Sequence, residues 1–116
     1  ELRLMDGSVN PYLLQASVLA AGLDGLKNKT DPGKPLDCNM YEDHKKYPDL
    51  PKLPNELGQS LEKLKNNKDI NDAFGKEVII SYIKLKNSEI NQFKQKDNFD
   101  KTKAITRWER DNTLDC

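Results

Sequence analysis

The sequence predicts a mainly helical chain, with one short N-terminal strand followed by helices. Three observations carry that expectation. Residues 1–5, Glu1-Leu2-Arg3-Leu4-Met5, alternate charged and apolar, the period of a strand with one wet face. Asn10-Pro11 then places a helix start directly ahead of a run rich in Leu and Ala. From Asn55 onward, apolar residues recur at three- and four-residue spacing between short polar breaks.

The elements follow in order. Asp6-Gly7-Ser8 ends the strand. Asn10 can accept a bond from a free backbone N–H, and Pro11 removes an N–H that would otherwise be orphaned, so a helix is expected from Pro11 to about Lys27. Its apolar residues, from Tyr12, Leu13 and Leu14 through Val18, Leu19 and Leu23 to Leu26, occupy nearly every face. A helix resting on one side of a core shows a narrower stripe. This one therefore asks to be buried on most sides, and the rest of the chain offers little to bury it. Ala16, Ala20, Ala21, Gly22 and Gly25 would let a neighbouring backbone approach closely.

Residues 28–54 read as a long irregular connection. Asp31-Pro32-Gly33, Lys34-Pro35, Tyr47-Pro48, Leu50-Pro51 and Leu53-Pro54 all break regular structure, while short pieces such as Met40–Lys46 can still turn. After Asn55, Leu57, Leu61 and Leu64 share one helical face, and Asn66-Asn67 stops it. A short turn over Asp69–Phe74 ends at Gly75, a good residue just past a helix end. The longest helix is expected over about Lys76–Gln95. Ile79, Tyr82, Ile83, Ile90 and Phe93 line one stripe of it, and Lys84, Lys86, Glu89 and Lys94 face water. Residues 96–104 are polar. A last short helix begins near Thr106, where Thr106 and Glu109 have capping-box spacing, and Trp108 and Leu114 give it something to dock with.

Composition narrows the function classes. The 116 residues fit one small domain or a piece of a larger one, and a chain opening on Glu1 rather than Met is expected to be such a piece. Lys+Arg and Asp+Glu both number 19, so the net charge is zero and neither a nucleic acid nor an anionic membrane is an expected partner. No apolar run approaches the ~20 residues of a membrane span, and neither a membrane anchor nor a signal peptide is expected. Cys38 and Cys116 form no CxxC pair and have no His-Cys cluster beside them, which argues against structural zinc. Reduced thiols in a cytoplasmic setting are expected, and no pattern supports a disulfide between the two.

The run Asn10-Pro11-Tyr12, continuing through Ala20-Ala21-Gly22-Leu23-Asp24-Gly25-Leu26-Lys27-Asn28-Lys29, resembles glutamine synthetases. Asp31-Pro32-Gly33-Lys34-Pro35-Leu36-Asp37 and Asn39-Met40-Tyr41 follow in the order of that family's loop. Leu61 to Leu64 and Ile80-Ser81-Tyr82-Ile83-Lys84-Leu85-Lys86 look like its next two helices. The ending Arg107-Trp108-Glu109-Arg110-Asp111-Asn112-Thr113-Leu114-Asp115 is similar to the branch that includes γ-glutamylmethylamide synthetases. The resemblance implies that residues 1–116 are a C-terminal fragment, the helical part of an α+β catalytic domain. The whole enzyme would use ATP and Mg²⁺ or Mn²⁺ to join ammonia or a small amine to glutamate through γ-glutamyl phosphate. It would form six-membered rings stacked into a dodecamer. The isolated fragment, lacking the N-terminal part, would bind no cofactor and be inactive.

The same resemblance implies roles for single residues. Glu1 and Arg3 match the family's Glu-x-Arg on its final active-site strand, so Glu1 would be a metal ligand. Arg3 would be catalytic and substrate-binding, holding the glutamate carboxylate or the transferring phosphate. Hard cations favour carboxylate oxygen, and a guanidinium fork holds two oxygens at once. At i, i+2 on a strand both side chains face one way. On spacing alone the pair reads as ordinary exposed charges. Tyr41 falls where some members carry a regulatory, adenylylated tyrosine. Cys38 and Glu42-Asp43-His44-Lys45 depart from that pattern, and the plain reading is an anchoring surface tyrosine. His44, the only histidine, reads as an exposed loop residue, and Asp24 as a partner of Lys27 or Lys29. A second reading, from a different class, is a non-catalytic helical interaction or oligomerisation module that binds through its apolar first helix.

Overall fold

The computed structural model describes residues 2, 4, 5, 7–96 and 105–113. Glu1, Arg3 and Asp6 lie outside them, as do Leu114 and Cys116. The described residues form helix α1 (Pro11–Asn28), a single turn α2 (Met40–Asp43) running into a 3-10 turn (His44–Lys46), then α3 (Leu57–Asn66), α4 (Lys68–Phe74), α5 (Lys76–Lys96) and α6 (Arg107–Thr113). Among them there is no strand. Leu2, Leu4 and Met5, the described residues of the expected N-terminal strand, carry no regular structure. A strand satisfies its backbone groups only through a neighbour, and no described segment supplies one.

α1 starts as its sequence dictates. The Asn10 side-chain oxygen accepts from the N–H groups of Tyr12 at 3.0 Å and Leu13 at 3.1 Å, and Pro11 takes the first helical position. At the other end Lys29 adopts the left-handed region, φ 51°, the one non-glycine residue with positive φ among those described. Lys29 N–H donates to the Leu26 carbonyl at 3.3 Å and Thr30 N–H to that of Gly25 at 2.9 Å, the paired closing bonds of a Schellman end.

α3, α4 and α5 pack on one another, and α1 lies against α4. The joints of this cluster are single residues. Asn67 ends α3, its N–H donating to Leu64, and opens α4, its side-chain oxygen accepting from Ile70 N–H at 2.9 Å. Gly75 ends α4 at φ 84°, ψ 136°, with its N–H on the Asn71 carbonyl at 3.0 Å, while its own carbonyl receives Ile79 N–H in the first turn of α5. The segment 69–74, expected as a turn, is therefore a full short helix. Its propensity is weak, and what forms it is the Asn67 cap together with packing on both neighbours.

The core is small. Leu61 and Ile79 are the buried apolar side chains among the described residues, 4% and 5% exposed, and they sit on the α3 and α5 faces that meet. Tyr82, Ile83, Ile90 and Phe93 continue the α5 stripe half-buried. Lys86 and Glu89, expected to face water, are also half-buried. They are paired at 2.8 Å, with the Lys86 ammonium 5.9 Å from the Tyr82 ring centre. A lysine stem lies along apolar surface at little cost when its head keeps a partner. α6 opens with the expected reciprocal cap: Glu109 N–H donates to Thr106 Oγ1 at 3.2 Å and Thr106 N–H to Glu109 Oε2 at 2.7 Å. Trp108 then docks edge-to-face on Phe93, ring centres 5.6 Å apart at 80°.

The chain exposes 10621 Å² of surface. A compact monomer of its 13.3 kDa exposes about 6,500 Å². Its radius of gyration is 16.9 Å, against about 13 Å for a compact domain of this length. The excess surface is partly apolar, and α1 holds much of it: the helix has no buried residue.

Candidate functional site

The two residues that the sequence singles out for chemistry, Glu1 and Arg3, lie outside the described residues. Their neighbours Leu2 and Leu4 are exposed. Asn10, six residues after Leu4, is tied through its side chain to the first turn of α1.

The remaining candidates lie apart in the sequence and each has a local role. Tyr41 is 91% exposed on the first turn of α2; Asn39, the residue that caps this turn, accepts its N–H at 3.2 Å. His44 is exposed, and its carbonyl accepts Tyr47 N–H at 3.3 Å. Asp43 is half-buried and pairs with Lys46 at 2.6 Å. Cys38 bears a free thiol that contacts the Met40 sulfur at 3.6 Å. Asp24 does not pair with Lys27 or Lys29 as expected. It accepts from the Asn28 side-chain amide at 2.8 Å, because four residues on along a helix is the position directly above it.

Among the described residues no group of three or more His, Cys, Asp or Glu side chains could hold a metal ion. One hollow lies at the joints of α3, α4 and α5, lined by Lys65, Lys68, Asn71, Asp72, Gly75 and Lys76. It is wide open to solvent, and Asn71 spends its amide on α3 carbonyls rather than presenting it outward. No helix among the described residues is long and apolar enough to cross a membrane.

What the described residues do present is an apolar helix surface. Tyr12, Leu19, Leu23 and Leu26 are exposed to 82, 64, 57 and 77%. The opposite side of α1, with Leu13, Leu14, Ser17 and Ala20, is half-buried. The sequence-level reading that this helix exceeds what the chain can shelter is therefore met in the structure. The composition of Pro11–Asn28 alone carried that signal.

Comparison with known proteins places these observations. The family model described as the catalytic domain of glutamine synthetase matches residues 1–112. The glutamine synthetase of Rhizobium meliloti (strain 1021) is 44% identical over 115 residues, covering 99% of this chain and 25% of the relative. That of Methanococcus maripaludis is 36% identical over 112 residues, covering 94% of this chain and 23% of the relative. A solved structure described as a GmaS/ADP complex superposes with a TM-score of 0.77 at 36% identity, over 99% of this chain and 24% of that one. The chain thus spans about a quarter of the length of the relatives it matches. With a match running from its first residue almost to its last, the chain belongs to the glutamine synthetase family.

Proposed function

We propose that residues 1–116 are the C-terminal helical portion of a glutamine synthetase-type catalytic domain. The whole enzyme would be an ATP-dependent ligase that joins ammonia or a small amine to glutamate. The observation that supports this most is the 44% identity to a glutamine synthetase across 99% of the chain, together with an apolar helix that finds no cover within it. In this reading the segment is scaffold. It backs the active-site sheet and contributes to contacts between subunits of a ring-shaped, cytoplasmic homo-oligomer.

Ligation of this kind needs the γ-carboxylate of glutamate phosphorylated before the amine attacks. Bound Mg²⁺ or Mn²⁺ would supply neutralisation of phosphate charge. Glu1 would offer a hard oxygen ligand, and other ligands would come from outside the described residues, which hold no metal-binding group of three. Arg3 would hold the glutamate carboxylate or the transferring phosphoryl group through its planar fork. Alone, the chain would turn over no ATP. Tyr41 is the candidate acceptor for a regulatory nucleotidyl group, and its exposure leaves the hydroxyl reachable. The ending over residues 107–115, similar to the branch that includes γ-glutamylmethylamide synthetases, supports methylamine or another small amine as an alternative to ammonia.

The test is a chimera in which residues 1–116 replace the matching quarter of the Rhizobium meliloti relative. Glutamate- and amine-dependent release of ADP is expected, with loss of at least ~100-fold on Arg3→Ala because a charge clamp on the transition state is removed. A folded chimera without activity would instead favour the second reading, a non-catalytic interaction module, which the open face of α1 also supports.

A further inference from the structure

The irregular connection between the 3-10 turn and α3 repeats a dipeptide. Tyr47-Pro48, Leu50-Pro51 and Leu53-Pro54 follow one another at three-residue steps, with Asp49 and Lys52 between them and Lys45 and Lys46 just ahead. Proline fixes its own φ and denies the preceding residue the helical region. All residues of the repeat except Asp49 and Lys52 are therefore preset toward the polyproline II form. That form turns once every three residues. Drawn out in it, the three prolines line one edge, Tyr47, Leu50 and Leu53 the next, and Asp49 and Lys52 the third. In the structure residues 44–53 are all exposed, and residues 51–54 carry no regular structure. A turn closes over the first repeat, where Leu50 N–H reaches the Tyr47 carbonyl at 3.4 Å. That is long for a backbone hydrogen bond, so little opposes its opening.

We propose that residues 45–54 are a docking segment for a protein domain with an aromatic-lined groove and an acidic rim, the kind that reads proline-rich ligands. This goes beyond the ligase reading and stands or falls independently of it. Three features select such a partner. Each apolar-Pro dipeptide sets two adjacent ridges side by side, a shape that fits a slot between aromatic rings, and the preset backbone has less entropy to lose on binding than a flexible loop. Lys45 precedes Pro48 by one more three-residue step, so a cation continues the edge of the prolines and meets the acidic rim. The third edge carries Asp49 and Lys52, which keep their water while the other two edges dock. Enclosure within a domain core would strip both charges of it, at a cost that a groove open on one side avoids.

Titration of the 116-residue chain into an isotope-labelled SH3 domain, and separately into a labelled WW domain, tests it through the amide shifts of the labelled domain. Saturable shifts confined to the groove residues of at least one of the two are expected. The double substitution Pro48→Ala, Pro51→Ala is expected to weaken binding at least ~10-fold, by freeing the backbone and emptying two slots. Lys45→Glu is expected to weaken it severalfold at low salt and less at high salt. Pro32→Ala and Pro35→Ala, at exposed prolines outside the repeat, are expected to leave the affinity unchanged. Circular dichroism verifies helix content; if the double variant loses it, Lys45→Glu with its salt dependence carries the test. Failure of both domains to bind overturns the proposal, as does binding indifferent to Pro48, Pro51 and Lys45. Binding that is lost once residues 1–116 are joined to the rest of the Rhizobium meliloti relative assigns the segment to that remainder and likewise overturns it.

Discussion

The side-chain amide of Asn71, on α4, donates to the backbone carbonyl of Leu64, on the last turn of α3, at 3.0 Å. A helix end leaves its final carbonyls without partners, and here the next helix supplies one from its own side chain. The same amide also reaches the carbonyls of Lys65 and Asn67. The angle between α3 and α4 is thereby tied to one residue. Asn71→Leu keeps the volume and removes the donor. It is expected to destabilise the chain by about 0.5–1.5 kcal/mol in urea titration, since the side-chain bonds to Leu64 and Lys65 are lost while Asn67 N–H still donates to the Leu64 carbonyl.

Gly75 makes the second joint. At φ 84° and ψ 136° it holds a backbone conformation closed to side chains, although a Cβ there would meet nothing within 4 Å. The penalty for Gly75→Ala is therefore conformational and not steric contact with neighbours. It is expected to cost about 1–3 kcal/mol, read as a lower melting temperature, with α4 and α5 reoriented.

Lys29 is the converse case. Its left-handed backbone closes α1, and a lysine pays roughly 1–2 kcal/mol for that conformation, whereas glycine adopts it freely. Lys29→Gly is expected to raise stability by about 0.5–1 kcal/mol in thermal unfolding once the entropy of glycine is counted. No change, or a loss, would mean that the Lys29 side chain contributes more than its backbone costs.

Trp108 is the one tryptophan of the chain and reports on α6 directly. Its edge-to-face contact with Phe93 joins α6 to α5. Phe93→Ala is expected to red-shift Trp108 emission and to cost about 3–5 kcal/mol if the site is as well packed as a core, less in proportion to its half-burial. Thr106→Ala, which removes the cap but not the docking ring, is expected to cost about 1 kcal/mol with little spectral change.

Much of this architecture was legible in the residues because the decisive signals were local. Asn10-Pro11 fixes the start of α1, Thr106 with Glu109 fixes the start of α6, and the spacing of Ile79, Tyr82, Ile83, Ile90 and Phe93 fixes the inner face of α5. What was not legible depends on neighbours. The α4 segment reads as a turn because seven mostly polar residues do not hold a helix unaided, and packing on α1 and α5 is invisible in its own sequence. Lys86 and Glu89 read as solvent-facing because charge predicts exposure, while their burial follows from Tyr82 lying beneath the lysine stem. Asp24 was given a lysine partner on charge alone, and helix geometry hands it Asn28 instead. The chemistry proposed for Glu1 and Arg3 rests on family likeness, since both lie outside the described residues.

One claim underlies the scaffold reading: the outer face of α1 is built to be covered. The most direct measurement is the fluorescence of an apolar-surface dye with the wild-type chain, followed on dilution. Bright signal is predicted at every dilution, largely abolished by Leu19→Lys, Leu23→Lys. Signal near that of buffer at every dilution, or bright signal untouched by the two substitutions, would contradict it.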